Sequence, residues 1–165
     1  MLSGKTAHRL TIGAVVMLVL VLAVPATAAP PRDKVTGTYT YFALENPSQW
    51  RTVSVSAHAA DPVKGTWEWI TPSGTWGGPI TCLRVSGDEA WLAGPDWEGP
   101  GGVFMYVQDG GTPGRSGDIA FTWHTDLGQP FDEVEALCEA MDPQPWFELS
   151  PWPVVSGNLN VWDAS

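Results

Sequence analysis

The chain predicts an antiparallel all-β domain of about eight strands that closes as a small barrel, with one short helix near 132–142 packed outside it. Three observations carry this. Short runs of alternating apolar and polar residues recur along the chain, punctuated by 18 glycines and 15 prolines, which is the pattern of strands and tight turns. Only the stretch 130–143 leaves period two for helical spacing. The two cysteines fall one on a hairpin and one on that helical stretch, which sets the helix over a face of the sheet. A two-sheet β-sandwich is the alternative arrangement of the same strands.

Residues 1–28 are expected to be a secretory signal peptide. Lys5 and Arg9 precede an apolar run from Leu10 to Val24, and Ala26-Thr27-Ala28 follows as the cleavage signal. The run falls short of the about 20 apolar residues of a membrane span, so an uncleaved anchor is the lesser alternative. Residues 29–34 form a loose Pro-rich lead-in, and 35–165 form a single β domain of ordinary size. The expected location is secreted and extracellular.

Within the domain, Val35 to Phe42 is dense in Thr and Tyr, a strand composition. Thr52 to His58 alternates, with Val53, Val55 and Ala57 inward and Thr52, Ser54, Ser56 and His58 outward. Asp61-Pro62 turns the chain into Lys64–Ile70. Thr71 to Pro79 is read as a loop or broad turn from its Gly and Pro content. Thr81–Val85 and Ala90–Leu92 are the arms of a hairpin turning at Ser86-Gly87-Asp88, with Leu83, Val85, Ala90 and Leu92 toward the core alongside Thr81. Cys82, Arg84 and Trp91 then face out and call for a cover. Gly94 to Gly102 is a second loop, carrying Asp96, Trp97 and Glu98. Val103–Val107, Ile119–His124 and Gly157–Trp162 complete the strands, and pairing of the first with the last would close the sheet.

The cover is the helix. Val134, Leu137, Cys138 and Met141 recur at i, i+3, i+4 and i+7, acids cluster at the start and Pro143 stops it. Two cysteines in an exported chain are expected to pair, so Cys82–Cys138 is the predicted disulfide, with Arg84 near Glu135 or Glu139.

The net charge of −10 becomes about −12 once Lys5 and Arg9 leave, an excess of acid that disfavours nucleic acid and anionic membrane surfaces. Ten tryptophans are the unusual feature of the composition. Trp67, Trp69 and Trp123 are expected in the core and Trp91 under the helix. Trp50, Trp76, Trp97, Trp146 and Trp152 lie in Gly/Pro-rich segments and are the candidate ligand-contact aromatics, because an exposed ring flanked by acids suits a sugar. Their plain alternative is packing of loop bases. His58 and His124 are expected on outward polar positions, where an acid–base or metal role would require Asp61 or Asp126 beside them. Asp109 and Asp118 are expected to accept from turn amides. No nucleophile turn, phosphate loop, zinc spacing or calcium loop is present in the sequence, so no catalytic residue, cofactor or metal is expected.

The chain resembles a group of small exported bacterial proteins of uncharacterised function. The resemblance rests on Val35-Thr36-Gly37, Thr81-Cys82-Leu83-x-Val85-x-Gly87-x-x-Ala90-Trp91, Val107-x-Asp109-Gly110-Gly111 with Asp118, the late Cys138 and Gly157-Asn158-Leu159-x-Val161. It implies an exported β domain with one disulfide and no particular activity. The functional expectation is a non-catalytic binding or surface-interaction module whose partner is carbohydrate or a surface protein. The alternatives are a structural or adhesion-type domain, and a secreted glycan-acting enzyme with paired carboxylates.

Overall fold

A computed structural model of the chain describes residues 32–43, 46–111, 117–125, 131–141 and 152–165; the expected signal peptide and Trp146 fall outside them. Nine strands form one antiparallel sheet: β1 (Lys34–Phe42), β2 (Trp50–His58), β3 (Lys64–Thr71), β4 (Gly74–Pro79), β5 (Cys82–Ser86), β6 (Glu89–Pro95), β7 (Gly102–Gln108), β8 (Ile119–His124) and β9 (Trp152–Trp162). Their order is β4-β3-β2-β1-β9-β8-β7-β6-β5, and the sheet curls into a half-barrel rather than splitting into a sandwich. The Thr/Tyr-rich β1 does pair with the last strand, from Lys34↔Trp162 to Tyr41↔Val154. A register shift between Thr40 and Tyr41 bends the pair, and Gly157 opposite Tyr39 takes a φ of 103° that a side chain would resist.

Thr71 to Pro79 is not all loop. After a turn at Pro72-Ser73, Gly74 to Pro79 pairs with β3 as an edge strand, from Thr71↔Gly74 to Thr66↔Pro79. Its glycines hid it, and close packing explains them. β4 crosses the end of β6 so tightly that a Cβ on Gly78 would lie 1.7 Å from Pro95 O, and one on Gly94 2.0 Å from Pro79 O. This crossing joins the two halves of the sheet where the end strands β4 and β5 do not pair.

The concave side holds one core, built on Val35, Tyr39, Val53, Val55, Trp67, Leu83, Leu92, Met105 and Leu159 with their neighbours. Alternation in β2 and in the β5–β6 hairpin therefore reads as expected. Thr81 is the exception: it precedes β5, is exposed, and its hydroxyl donates to Glu135 at 2.9 Å.

A second core lies on the convex side. Helix α1 (Phe131–Ala140) sets Val134 and Cys138 against Trp91, Ala93, Phe104, Tyr106 and Phe121. The Cys82–Cys138 disulfide pins it with a Cα–Cα distance of 6.2 Å, and Arg84 pairs with Glu139. Met141, expected on the buried stripe, is 43% exposed, because the helix ends at Ala140 and Met141 turns off it with a φ of 51°. Trp123 and Phe121 face this convex core, so β8 presents Ala120, Thr122 and His124 to the concave side, the reverse of the predicted facing.

All three tyrosines of the chain lie in these cores. Burial pushes the Tyr39 phenol well above its usual range, reinforced by Tyr41, and pushes Tyr41 itself up to about 12. Tyr106 is raised by burial, then by donating to Glu89 Oε1 at 2.6 Å. The folded chain thus keeps protons that the unfolded chain releases near pH 10.0. The stability from these groups is whole below that pH and declines as pH rises above it. We expect almost no tyrosinate absorbance from the native protein at pH 10.0, where a free tyrosine is half ionised. Ionisation should then coincide with loss of near-UV circular dichroism. A separate, earlier titration of even one tyrosine would contradict its burial.

Candidate functional site

The register of β3 on β4 places Trp69 beside Trp76 and Trp67 beside Gly78, so three indoles gather at one end of the concave side. The His124 ring sits among them, its centroid 6.2 Å from Trp67, 5.7 Å from Trp69 and 5.6 Å from Trp76. Its Nε2 faces both Asp96 oxygens, at 2.9 and 3.1 Å. An ionised carboxylate only accepts, so Nε2 donates. Both side chains are nearly covered, 12% and 9% exposed. His124 was expected on an outward polar position; it turns inward because α1 claims the other face of β8. His58 keeps its outward place, between Lys34 and Lys64 in register, so the two histidines do not share a face. Asp61 is an exposed turn residue and Asp126 lies outside the described residues.

The His124–Asp96 contact has a positional consequence. It ties down the 96–101 loop, which is also closed by Asp96 N donating to Gly101 O at 3.0 Å. At its far end, Thr125 N donates to Gly102 O at 2.9 Å and Gly102 N to Thr125 Oγ1 at 2.8 Å. A polar loop held at both ends presents its middle residues with little freedom to lose on binding. Those residues are Trp97 and Glu98.

Trp97 is 65% exposed. Its backbone N–H donates to Gly77 O at 2.8 Å, and its benzo ring lies 2.6 Å from where a Gly77 Cβ would stand. Gly77 therefore seats the indole directly on strand β4. On one side of Trp97 lies an open depression of about 410 Å³ on the sheet face, lined by Thr38, Ser54, Ser56, Thr66 and Glu68 among others. On its other side lies a cleft of about 320 Å³ between Thr75, Trp76, Asp96 and Glu98. Among the described residues neither Glu68 nor Glu98 pairs with a cation. The arrangement offers an apolar ring between two sets of hydroxyls and carboxylates, in volumes usual for small-ligand sites.

Of the five candidate aromatics, Trp97 alone stands out into solvent among the described residues. Trp76 belongs to a strand rather than a loop; its half-buried ring faces His124 and also walls the smaller cleft. Trp152 opens β9 and is stacked, 5.2 Å from Tyr41 and 5.9 Å from Phe121. Trp50 is half-buried at the start of β2. Trp162, not singled out in the sequence, is 63% exposed at the end of β9. Asp109 and Asp118 accept from Gly111 N and Gly110 N, at 2.8 and 2.9 Å, so both serve their turn. No group of three His, Cys, Asp or Glu side chains with metal-binding geometry occurs among the described residues.

No family model, no curated protein and no solved structure matches this chain.

Proposed function

We propose that this is an exported, non-catalytic carbohydrate-binding module whose platform is Trp97. The observation that carries the reading is a rigidly seated, exposed indole between two open depressions that carry hydroxyls and the unpaired acids Glu68 and Glu98. The ring takes the C–H surface of a sugar, while Glu68, Glu98, Thr38 and Ser54 meet its hydroxyls, which both donate and accept. The disulfide accords with an extracellular setting. The glycan-acting enzyme reading is weaker, because Asp96 has both oxygens on His124 and is thereby engaged as a loop clamp.

The test is calorimetric or fluorescence titration of the oxidised protein with soluble neutral glycans. We expect a saturable response that Trp97→Ala weakens at least about tenfold, a loss of about 1.4 kcal/mol. Trp152→Phe, which keeps a stacked ring, should bind as the native chain does. A flat response across the glycans, or binding untouched by Trp97→Ala, would remove the reading.

A further inference from the structure

The convex face of β3, β2, β1 and β9 is not covered by α1, and its side chains fall into rows set by the strand register. One row reads Glu68, Ser54, Thr38, Asn158. The next reads Thr66, Ser56, Thr36, Asn160. All eight residues are exposed or half-buried, and only Glu68 is charged. Thr38 Oγ1 and Ser54 Oγ bond each other at 3.0 Å, and each keeps capacity for a further partner.

The two strongly exposed tryptophans among the described residues stand at the borders of these rows. Trp97 overlies Gly77, which pairs with Glu68 and so extends the first row by one strand. Trp162 lies at the opposite corner, one outward position beyond Asn160 on β9 and paired with Lys34. From Gly77 to β9 is four strand spacings, about 19 Å along the sheet, and from Asn158 to Trp162 is four residues, about 13 Å. That span exceeds a disaccharide.

We propose that this face is a track for an extended neutral polysaccharide chain, which runs diagonally from Trp97 across the hydroxyl rows to Trp162 as a second platform. The proposal rests on the reading of Trp97 as a sugar platform and assigns it a ligand of length rather than a chain end or a small sugar. A protein partner is disfavoured because a stable protein interface needs an apolar centre, and the two central rows contain no apolar side chain. A neutral occupant follows from the two central rows, where a chain of hydroxyls finds a donor and an acceptor at nearly every position and the one charge is Glu68. The bordering row of Lys64, His58 and Lys34 that ends on Trp162 is the edge an acidic chain would take instead.

The test measures affinity for four neutral series, cello-, xylo-, manno- and N-acetylglucosamine oligomers from dimer to hexamer, with oligogalacturonate as the acidic comparison, by calorimetry on the oxidised protein. In at least one series affinity should climb about tenfold or more with length and then level off. Trp162→Ala and the pair Asn158→Ala/Asn160→Ala, all at exposed positions, should flatten that climb while leaving the dimer affinity unchanged within about twofold. Trp97→Ala should weaken every length. Dimer binding that depends on Trp97 but does not grow with length would overturn the track and leave the platform reading intact. Failure of all four series to bind would overturn both. Binding confined to an acidic glycan and lost with Lys34→Ala would overturn the track in favour of a cationic edge.

Discussion

Replacing Cys82 and Cys138 together with Ala is expected to lower the unfolding free energy by about 4 kcal/mol, from chain entropy alone. The cysteines are 56 residues apart in sequence, so the cross-link removes a long loop from the unfolded ensemble. Little else replaces it. The polar links between helix and sheet, Thr81–Glu135 and Arg84–Glu139, are at the surface and contribute only a few tenths of a kcal/mol each. Val134 and the half-buried Phe131 and Leu137 remain as the helix's apolar hold on the convex core. Chemical denaturation of the double variant against the oxidised protein measures the loss. A red shift of fluorescence at low denaturant should accompany it, as the lifted helix wets Trp91, which is 6% exposed in the intact fold. A loss below about 1 kcal/mol would mean that packing alone seats α1 and that the cross-link is redundant.

Sequence revealed the strands that are buried on one side only. In β2, Val53, Val55 and Ala57 alternate with Ser54 and Ser56 because one face meets the core and the other meets water. The hairpin and the helix were legible together because Cys82 and Trp91 on an outward face have no reason to be there without a cover. The reading of β8 reversed for the same physical reason. Where a helix covers the convex side, a strand is buried on both faces, and Ile119, Phe121 and Trp123 mark the more apolar face rather than the inside of the half-barrel.

Strand β4 was hidden by its own packing, since glycines required at a close crossing look like loop residues in sequence. The site was legible only in part. Trp97 between two acids in a glycine-rich loop was visible. Its partner Gly77, the clamp of Asp96 by His124 and the cross-strand rows of hydroxyls are products of register and folding, which bring together positions with no proximity in the chain.

The same crossing of β4 over β6 makes Gly78→Ala the other substitution with a large expected effect. Its Cβ would meet Pro95 O at 1.7 Å and Trp67 Nε1 at 2.9 Å, and the first of these is backbone, which cannot rotate aside. The strands must separate, and overpacking of this kind costs about 3 kcal/mol. Gly74→Ala on the same strand is the comparison, because its nearest neighbours are Trp76 ring atoms at 3.0 Å and beyond, which can give by a small rotation. It should cost about 1 kcal/mol or less. The two variants also separate stability from function. Moving β4 away from β6 breaks the bond from Trp97 N to Gly77 O and unseats the indole, so Gly78→Ala should lose glycan response even at temperatures where it is fully folded. Gly74→Ala should keep it. If Gly78→Ala were as stable as the native chain and bound glycan equally well, the crossing would not be what holds the platform, and the role given to Gly77 would fail with it.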